Sequence, residues 1–202
     1  MSDFQDRIGR LWLIRHGETE WSKSGAHTGR TDMPLTETGR RQAERLGATL
    51  EGRSFTQVLS SPLSRAYETC RLAGYGDAAM VEPDLQEWDY GEYEGLTTKQ
   101  IRERSAGWSL WVDGVPSGET IAEVAARADA VIAQASEVNG DVALFAHGHI
   151  LRVLAARWLG LEPAAARLLA LHTASLSVLA YERNTRVIQL WNWLELDEMP
   201  RS

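Results

Sequence analysis

Short apolar runs that stop abruptly at polar clusters, each leading on toward a helical pattern, constrain this chain more than any other feature. Leu11–Ile14 reads as a buried strand and runs straight into Arg15-His16-Gly17-Glu18-Thr19. Gln57–Ser60 is a second strand, followed by Ser61-Pro62, with Ser expected as N-cap and Pro at the first helical position. Val142–Ala146 is a third, delivering His147-Gly148-His149 ahead of a helix over Ile150–Leu159. Between them, Thr36–Leu50 reads as a helix with Ala43, Leu46 and Leu50 on one face. Gly118–Val138 is the clearest helix, since Ile121, Val124, Ala125, Ala128, Val131, Ile132, Ala135 and Val138 recur at spacings of three and four. Ala174–Tyr181 and Arg186–Trp193 read as two closing strands. Strand runs alternating with helical patterns predict an α/β fold: a three-layer sandwich with a mostly parallel central sheet flanked by helices.

The length of 202 residues suits one domain over 1–202, and no repeat, linker or low-complexity tract divides it. Met80 to Val115 is rich in Trp, Tyr, Glu and Gly with weak periodicity, so it reads as a functional excursion more than as scaffold. Leu196–Ser202 is expected to fray. The one cysteine, Cys70, permits no internal disulfide, lies in a helical pattern, and is expected to be a packed thiol in a reducing, cytoplasmic setting. No leader and no membrane span are expected, because the greasiest stretch, Leu168 to Tyr181, is broken by His172, Thr173, Ser175 and Ser177. A net charge of −7 argues against nucleic acid or anionic membranes as partners. It leaves room for a small anionic substrate, which needs only a local basic pocket. The oligomeric state stays open, and a homodimer is compatible with the sequence.

In open α/β sheets the carboxyl ends of the strands form one rim, and ligands bind there. The three polar clusters would therefore meet. Together they supply Arg15, Arg65, His16, His147 and helix N-termini: forked cationic donors and backbone amides, a set suited to phosphate. Taken singly, an Arg-His pair after a strand is most often surface or satisfied core, and an Arg one turn into a helix most often faces solvent. The conjunction on one rim is what points to a site.

Arg15-His16-Gly17-Glu18-Thr19 resembles the signature of the histidine phosphatase superfamily, which includes the cofactor-dependent phosphoglycerate mutases. The resemblance continues in order through His27-Thr28-Gly29-Arg30-Thr31-Asp32, Leu35-Thr36 with Gly39, Ser60-Ser61-Pro62 with Arg65 and Thr69, Glu87, Gly118-Glu119-Thr120, and His147-Gly148-His149. It implies a phosphoglycerate mutase-like fold, a phosphohistidine intermediate, no metal and no cofactor. By the same resemblance His16 is the nucleophile, Arg15, Arg65 and His147 hold the phosphoryl oxygens, and Glu87 is the general acid and base. Ser22, Thr28, Gly29, Tyr90 and Gly148 would lie beside the substrate, a small phosphorylated metabolite. The chemistry is consistent: a neutral imidazole attacks near pH 7, arginines stay charged, and a leaving alkoxide needs a proton. For that last task Glu87 is expected to be protonated when substrate binds, through burial or a neighbouring phosphate.

Three departures from the mutases favour a phosphatase. Ser22 stands where they carry Asn, and Trp88 where they carry an Arg that holds the acid group of their substrate. Only residues 92–117 separate Gly91 from Gly118, with no long insertion. Glu87-Trp88-Asp89-Tyr90-Gly91-Glu92-Tyr93-Glu94-Gly95 resembles the smaller branch of broad-range acid phosphatases and sugar-bisphosphatases. A mutase is the runner-up, and a regulatory binding module on the same fold the third reading, opposed by the intact His16, Arg65, Glu87 and His147. A Cys-x5-Arg loop is absent, since position 76 is Gly76, and so are an Asp-x-Asp pair and an HExxH motif. His149 is expected at the rim or as a cap, His27 either at substrate or in a surface loop, and His172 in a structural role. Trp12, Trp158, Trp191 and Trp193 are expected in or near the core, with Trp21, Trp88, Trp108 and Trp111 nearer the cleft. Glu92 and Glu94 read as solvated. Glu18 reads as more than a plain surface acid but not as catalytic.

Overall fold

A computed structural model describes residues 8–194, so the expected frayed tail, Leu196–Ser202, lies outside the described residues. The elements run β1 Ile8–Arg15, α1 Glu20–Ser24, α2 Glu37–Thr49, β2 Gln57–Ser60, α3 Ser64–Leu72, β3 Ala79–Val81, α4 Thr98–Arg104, α5 Leu110–Asp113, α6 Ile121–Ser136, β4 Gly140–Ala146, α7 Gly148–Trp158, β5 Leu176–Glu182 and β6 Thr185–Trp193. They form a six-stranded sheet in the order β3-β2-β4-β1-β5-β6. The first four of these strands are mutually parallel, while β5 and β6 close the sheet antiparallel.

The sheet separates two apolar layers. On β4, Val142, Leu144 and Ala146 face one cluster, with Val124, Val131 and Ile132 of α6 and Leu151 and Leu154 of α7. Ala143 and Phe145 face the other, with Leu46 of α2 and Cys70 of α3. That is the expected three-layer sandwich. A strand buried on both faces reads as a continuous apolar run, which is why β4 was legible without alternation. Cys70 is the packed thiol expected of it, and burial pushes its pKa up to about 12.

Several boundaries differ from expectation for local reasons. Helix α3 starts at Ser64 rather than at Ser61-Pro62. The Ser61 hydroxyl accepts from the Leu63 amide at 3.3 Å, while Asp32 takes the Ser64 amide at 2.8 Å and so satisfies a donor at the true start. Helix α6 begins at Ile121, where Thr120 and Glu123 form a capping box, leaving Gly118-Glu119 in the loop before it. Strand β3 escaped notice because it is three residues long and exposes Met80 and Val81 at the sheet edge.

The segment Met80–Val115 is scaffold as much as excursion. It contains most of β3, α4, α5 and two 3₁₀ turns, and it buries Leu85, Trp88, Tyr90, Ile101, Trp108 and Leu110 in the larger cluster. Its aromatic residues do not repeat at a helical or strand period because they fill the core from short turns. Trp12 and Trp158 are buried as expected and Trp191 packs partly against the core, but Trp193 is 37% exposed on the last strand.

Candidate active site

The strand registers align the three polar clusters. Arg15 pairs with Ala146 and Ser60 with Phe145, so His16, Ser61 and His147 each stand one residue beyond a parallel strand, at the same end of the sheet. The His16 amide donates to the Ala146 carbonyl at 3.0 Å and the Ser61 amide to Phe145 at 2.9 Å, which extends the ladder into the site. The rings of His16 and His147 lie 5.1 Å apart.

His16 is 4% exposed, and its Nδ1 lies 2.7 Å from the Gly17 carbonyl oxygen. A carbonyl only accepts, so Nδ1 carries the hydrogen and Nε2 keeps a free lone pair. Burial, then the charges of Arg65 and Arg15, hold the His16 pKa well below its ordinary value, so the ring is neutral. Gly17 permits this placement: a Cβ there would come within 2.3 Å of the Gly39 carbonyl oxygen at the start of α2.

Three basic residues surround that nitrogen, and the structure uses each differently. Arg15 donates from Nη1 to the Leu171 carbonyl, while its buried Nε has no partner. An unpaired buried guanidinium donor is costly unless an anion completes it. Arg65, fully buried, donates from Nη1 to Thr31 O at 2.9 Å and from Nη2 to Gly29 O at 2.9 Å and Thr28 O at 3.1 Å. Its Nε donates to His147 Nδ1 at 3.1 Å. Most of its five N–H groups are thus spent on holding residues 28–31 and His147, and its charge more than its fork reaches the site. Because Arg65 can only donate, His147 carries its hydrogen on Nε2, which donates to Ser61 Oγ at 2.8 Å. A phosphate oxygen would replace Ser61 as that acceptor. Ser61 thus stands against the site through His147, although sequence reasoning treated it only as a helix cap.

In the empty site Glu87 is held as a carboxylate; the protonated form is expected only with substrate bound. Burial alone would raise its pKa, but the hydrogen bond and charge of His149, then His147, outweigh burial and hold the carboxyl well below the usual range. The geometry agrees: Oε1 accepts from the Trp88 and Ile150 amides at 3.0 Å each, and Oε2 from the His149 amide at 2.9 Å. Two of these donors belong to the first turn of α7, and three backbone N–H groups stabilise a carboxylate strongly.

The remaining expected residues divide. Ser22, Thr28, Tyr90 and Gly148 line a cleft of about 160 Å³ together with Arg15, His16 and Glu87. Ser22 lines it while its hydroxyl caps α1, accepting from the Thr19 amide and donating to the Thr19 carbonyl. Gly29 lies behind the wall, its amide bonded to Glu94 Oε1 at 2.9 Å. Glu94, expected to be solvated, also accepts from the Thr31 amide and so braces the loop. At Gly148 a Cβ would meet Arg15 Cζ at 3.3 Å, so glycine lets the guanidinium lie flat against the start of α7. Tyr90 is buried, and its hydroxyl lies 2.6 Å from His149 Nδ1. His27 lines the cleft against Tyr90 and Trp108, its pKa lowered to about 4 by burial and then by His149.

Trp88 and Trp108 prove to be packing residues, with their indole N–H groups on the Glu119 and Gly114 carbonyls. Glu18 is structural, accepting from the Thr36 hydroxyl. His172 is exposed, and its backbone ties the loop before β5. Sequence reasoning missed Arg152, which lines the cleft from α7 and had no motif to announce it. Among the described residues no group of three or more His, Cys, Asp or Glu is placed to hold a metal ion.

Comparison with known proteins converges on one family. Residues 11–194 match the histidine phosphatase superfamily (branch 1). An acid phosphatase of Mycobacterium tuberculosis is 44% identical over 184 residues, covering 89% of this chain and 90% of that protein. A sedoheptulose 1,7-bisphosphatase of Saccharomyces cerevisiae is 38% identical, covering 75% of this chain and 68% of its own length. A solved structure from Mycobacterium tuberculosis superposes with a TM-score of 0.86 at 42% identity, over 92% of this chain and 98% of the other.

Proposed function

Because this chain belongs to branch 1 of the histidine phosphatase superfamily, we propose that its cleft hydrolyses small phosphomonoesters by moving the phosphoryl group first to Nε2 of His16 and then to water. It is a small-molecule phosphatase. The observation that carries the nucleophile assignment is the His16 tautomer: Nδ1 is committed to the Gly17 carbonyl, so the lone pair of a neutral ring sits on Nε2 among Arg15, Arg65 and His147.

Attack by that lone pair forms the P–N bond in line as the P–O bond of the ester breaks. Arg15 Nε, His147 Nε2–H and the Ser61 hydroxyl are the donors for the phosphoryl oxygens, with the Arg65 charge behind them. The leaving oxygen takes a proton from the Glu87 side, and the same carboxylate then draws a proton from the attacking water. In the empty site Glu87 is ionised, so Glu87 and the phosphate must hold one proton between them when substrate is bound. A phosphate close by supplies the like charge that raises the carboxyl toward protonation.

The substrate is a small phosphorylated metabolite, in keeping with the cleft volume. No described helix is long and apolar enough to cross a membrane, and we place the chain, as one domain over 1–202, in the cytoplasm on the strength of its lone buried thiol. Quenching turnover in alkali and mapping the phosphopeptide tests the mechanism. The phosphate is expected on His16; finding it on Ser, Asp or Cys70 overturns the assignment.

A further inference from the structure

Arg127 and the Gly118-Glu119-Thr120 segment do not line the cleft, yet both meet the loop that carries Glu87. Past the 3₁₀ turn Pro83–Leu85, residues 86–90 belong to no helix or strand, so that loop has no regular framework of its own. Arg127 stands on α6, a long helix with a well-packed face, and shares an edge of it with the buried Val124 and Val131. Its guanidinium commits all five N–H groups. Nε and Nη2 donate to the two carboxylate oxygens of Glu119 at 2.8 and 2.9 Å. Nη1 donates to the Asp84 and Gln86 carbonyls at 2.8 and 2.7 Å, and Nη2 also reaches the Glu87 carbonyl at 3.5 Å.

Glu119 carries the grip to the other side of Glu87. Its Oε2 accepts from the Asp89 amide at 2.9 Å, its own amide donates to the Asp89 carbonyl at 3.0 Å, and its carbonyl accepts from Trp88 Nε1 at 2.8 Å. Gly118 permits this approach, because a Cβ there would lie 2.3 Å from the Asp89 carbonyl oxygen. One guanidinium thus holds residues 84–87 and one carboxylate holds 88 and 89.

The bland alternative is a salt bridge that only adds stability. Both side chains are 15% exposed, and a pair so poorly solvated is weak evidence for stability, since desolvation offsets much of its attraction. Its geometry is more telling. A planar fork bonded on every side fixes distance and angle together, and what it fixes here is the backbone of the general acid against a rigid helix. Glu87 must meet the leaving oxygen, and a misplacement of about 1 Å at such a group can cost on the order of 100-fold.

We infer, building on the phosphatase reading above, that Arg127 and Glu119 form a positioning pair that acts through Glu87. They set how well its carboxyl meets the leaving oxygen, and so how readily the enzyme cleaves esters whose leaving group needs a proton.

The test compares kcat/KM, which covers the steps up to departure of the leaving group, for glycerol 2-phosphate and p-nitrophenyl phosphate. Arg127→Gln should lower the glycerol phosphate value by about 10–100-fold and the p-nitrophenyl phosphate value clearly less. Arg127→Lys should recover part of that difference. In a Glu87→Gln background the same Arg127→Gln change should cost the glycerol phosphate value about twofold or less, because a residue that acts through Glu87 has nothing left to position. Equal losses on the two esters, no loss, or the full loss in the Glu87→Gln background overturn the inference, since general loosening of the fold affects both esters and does not require Glu87. Should Arg127→Gln leave Glu119 buried without its cation and fail to fold, Arg127→Met combined with Glu119→Gln removes both charges, and the same comparison decides. Unequal losses in Glu87→Gln without them in Arg127→Gln sink the positioning pair and leave the phosphatase reading standing. Equal losses in Glu87→Gln itself sink the acid assignment and the pair together, and a chain that hydrolyses neither ester sinks the phosphatase reading with them.

Discussion

At the phosphate end of the cleft, His16, Ser61 and His147 each stand one residue past a parallel strand, and their positions follow from sheet register. At the other end, Tyr90, His149, Trp111 and Arg152 come from a turn, the first half of α7 and a short helix, and are held by stacking and by backbone carbonyls. The first end is fixed by the sheet and lends itself to one chemistry. The second is set by side-chain packing, so it can vary without disturbing the reacting atoms. Reaction type and substrate choice are thus held by different kinds of structure in one chain.

The sharpest way to break this division is to remove the nucleophile. His16→Ala should lower kcat with p-nitrophenyl phosphate on the order of 10⁴-fold or more, since loss of a covalent nucleophile removes the pathway itself. Activity within tenfold of the unaltered protein would show that the rim does other chemistry.

Glu87 lies where the two ends meet. Glu87→Gln should cost about 10²–10⁴-fold on alkyl and sugar phosphates, and clearly less on p-nitrophenyl phosphate, whose leaving group departs without a proton. Equal losses in burst-phase kinetics would remove Glu87 from the leaving-group side. If Asp89→Asn shows the unequal losses instead, the acid is two residues on.

The ionisation states predict how rate depends on pH. His16 titrates well below its ordinary value, so protonation disarms it only at low pH, and the acid limb of kcat/KM should fall well below 6.5. Glu87 is also held low in the empty site, so a protonated Glu87 is not the resting form near neutral pH. The proton must then come with the substrate, whose second phosphate ionisation lies at about pH 6. The basic limb should track that ionisation, moving when esters with different second pKa values are compared. A limb that stays fixed across such esters belongs to the protein and contradicts this account.

Hydrolysis should also exceed mutase turnover with 3-phosphoglycerate and 2,3-bisphosphoglycerate, because Trp88 is buried and contributes no charge to hold an acid group in two orientations. A mutase rate above the phosphatase rate reverses that. The smallest effect is expected at Glu94, which braces residues 29–31 and does not line the cleft. Glu94→Ala should cost about 1–3 kcal/mol in a denaturant titration by freeing the amides of Gly29 and Thr31, and should raise KM more than it lowers kcat.

The sequence by itself determined the sheet's parallel core, both long central helices and the rim of polar clusters. These rest on short-range patterns: continuous apolar runs for β1 and β4, a short apolar pair for β2, and spacings of three and four for α2 and α6. The positions of His16 and His147 followed, because a residue just past a strand has little freedom. Four features were decided only by the tertiary structure. Arg65, His147 and Ser61 form one hydrogen-bonded chain although more than 80 residues separate the first two. Glu94 passed as a surface acid until the loop it braces was placed beside it. Glu87 is held as a carboxylate in the empty site because the first turn of α7, some 60 residues away, presents two amides to it. Arg152 carries no motif, and only the packing of Trp111 and the Pro163–Leu168 turn fixes it in the cleft. In each case the property depends on which groups from distant segments share a small, poorly solvated volume, and hydrogen-bond partners and pKa values are set by that neighbourhood, which a linear pattern does not encode.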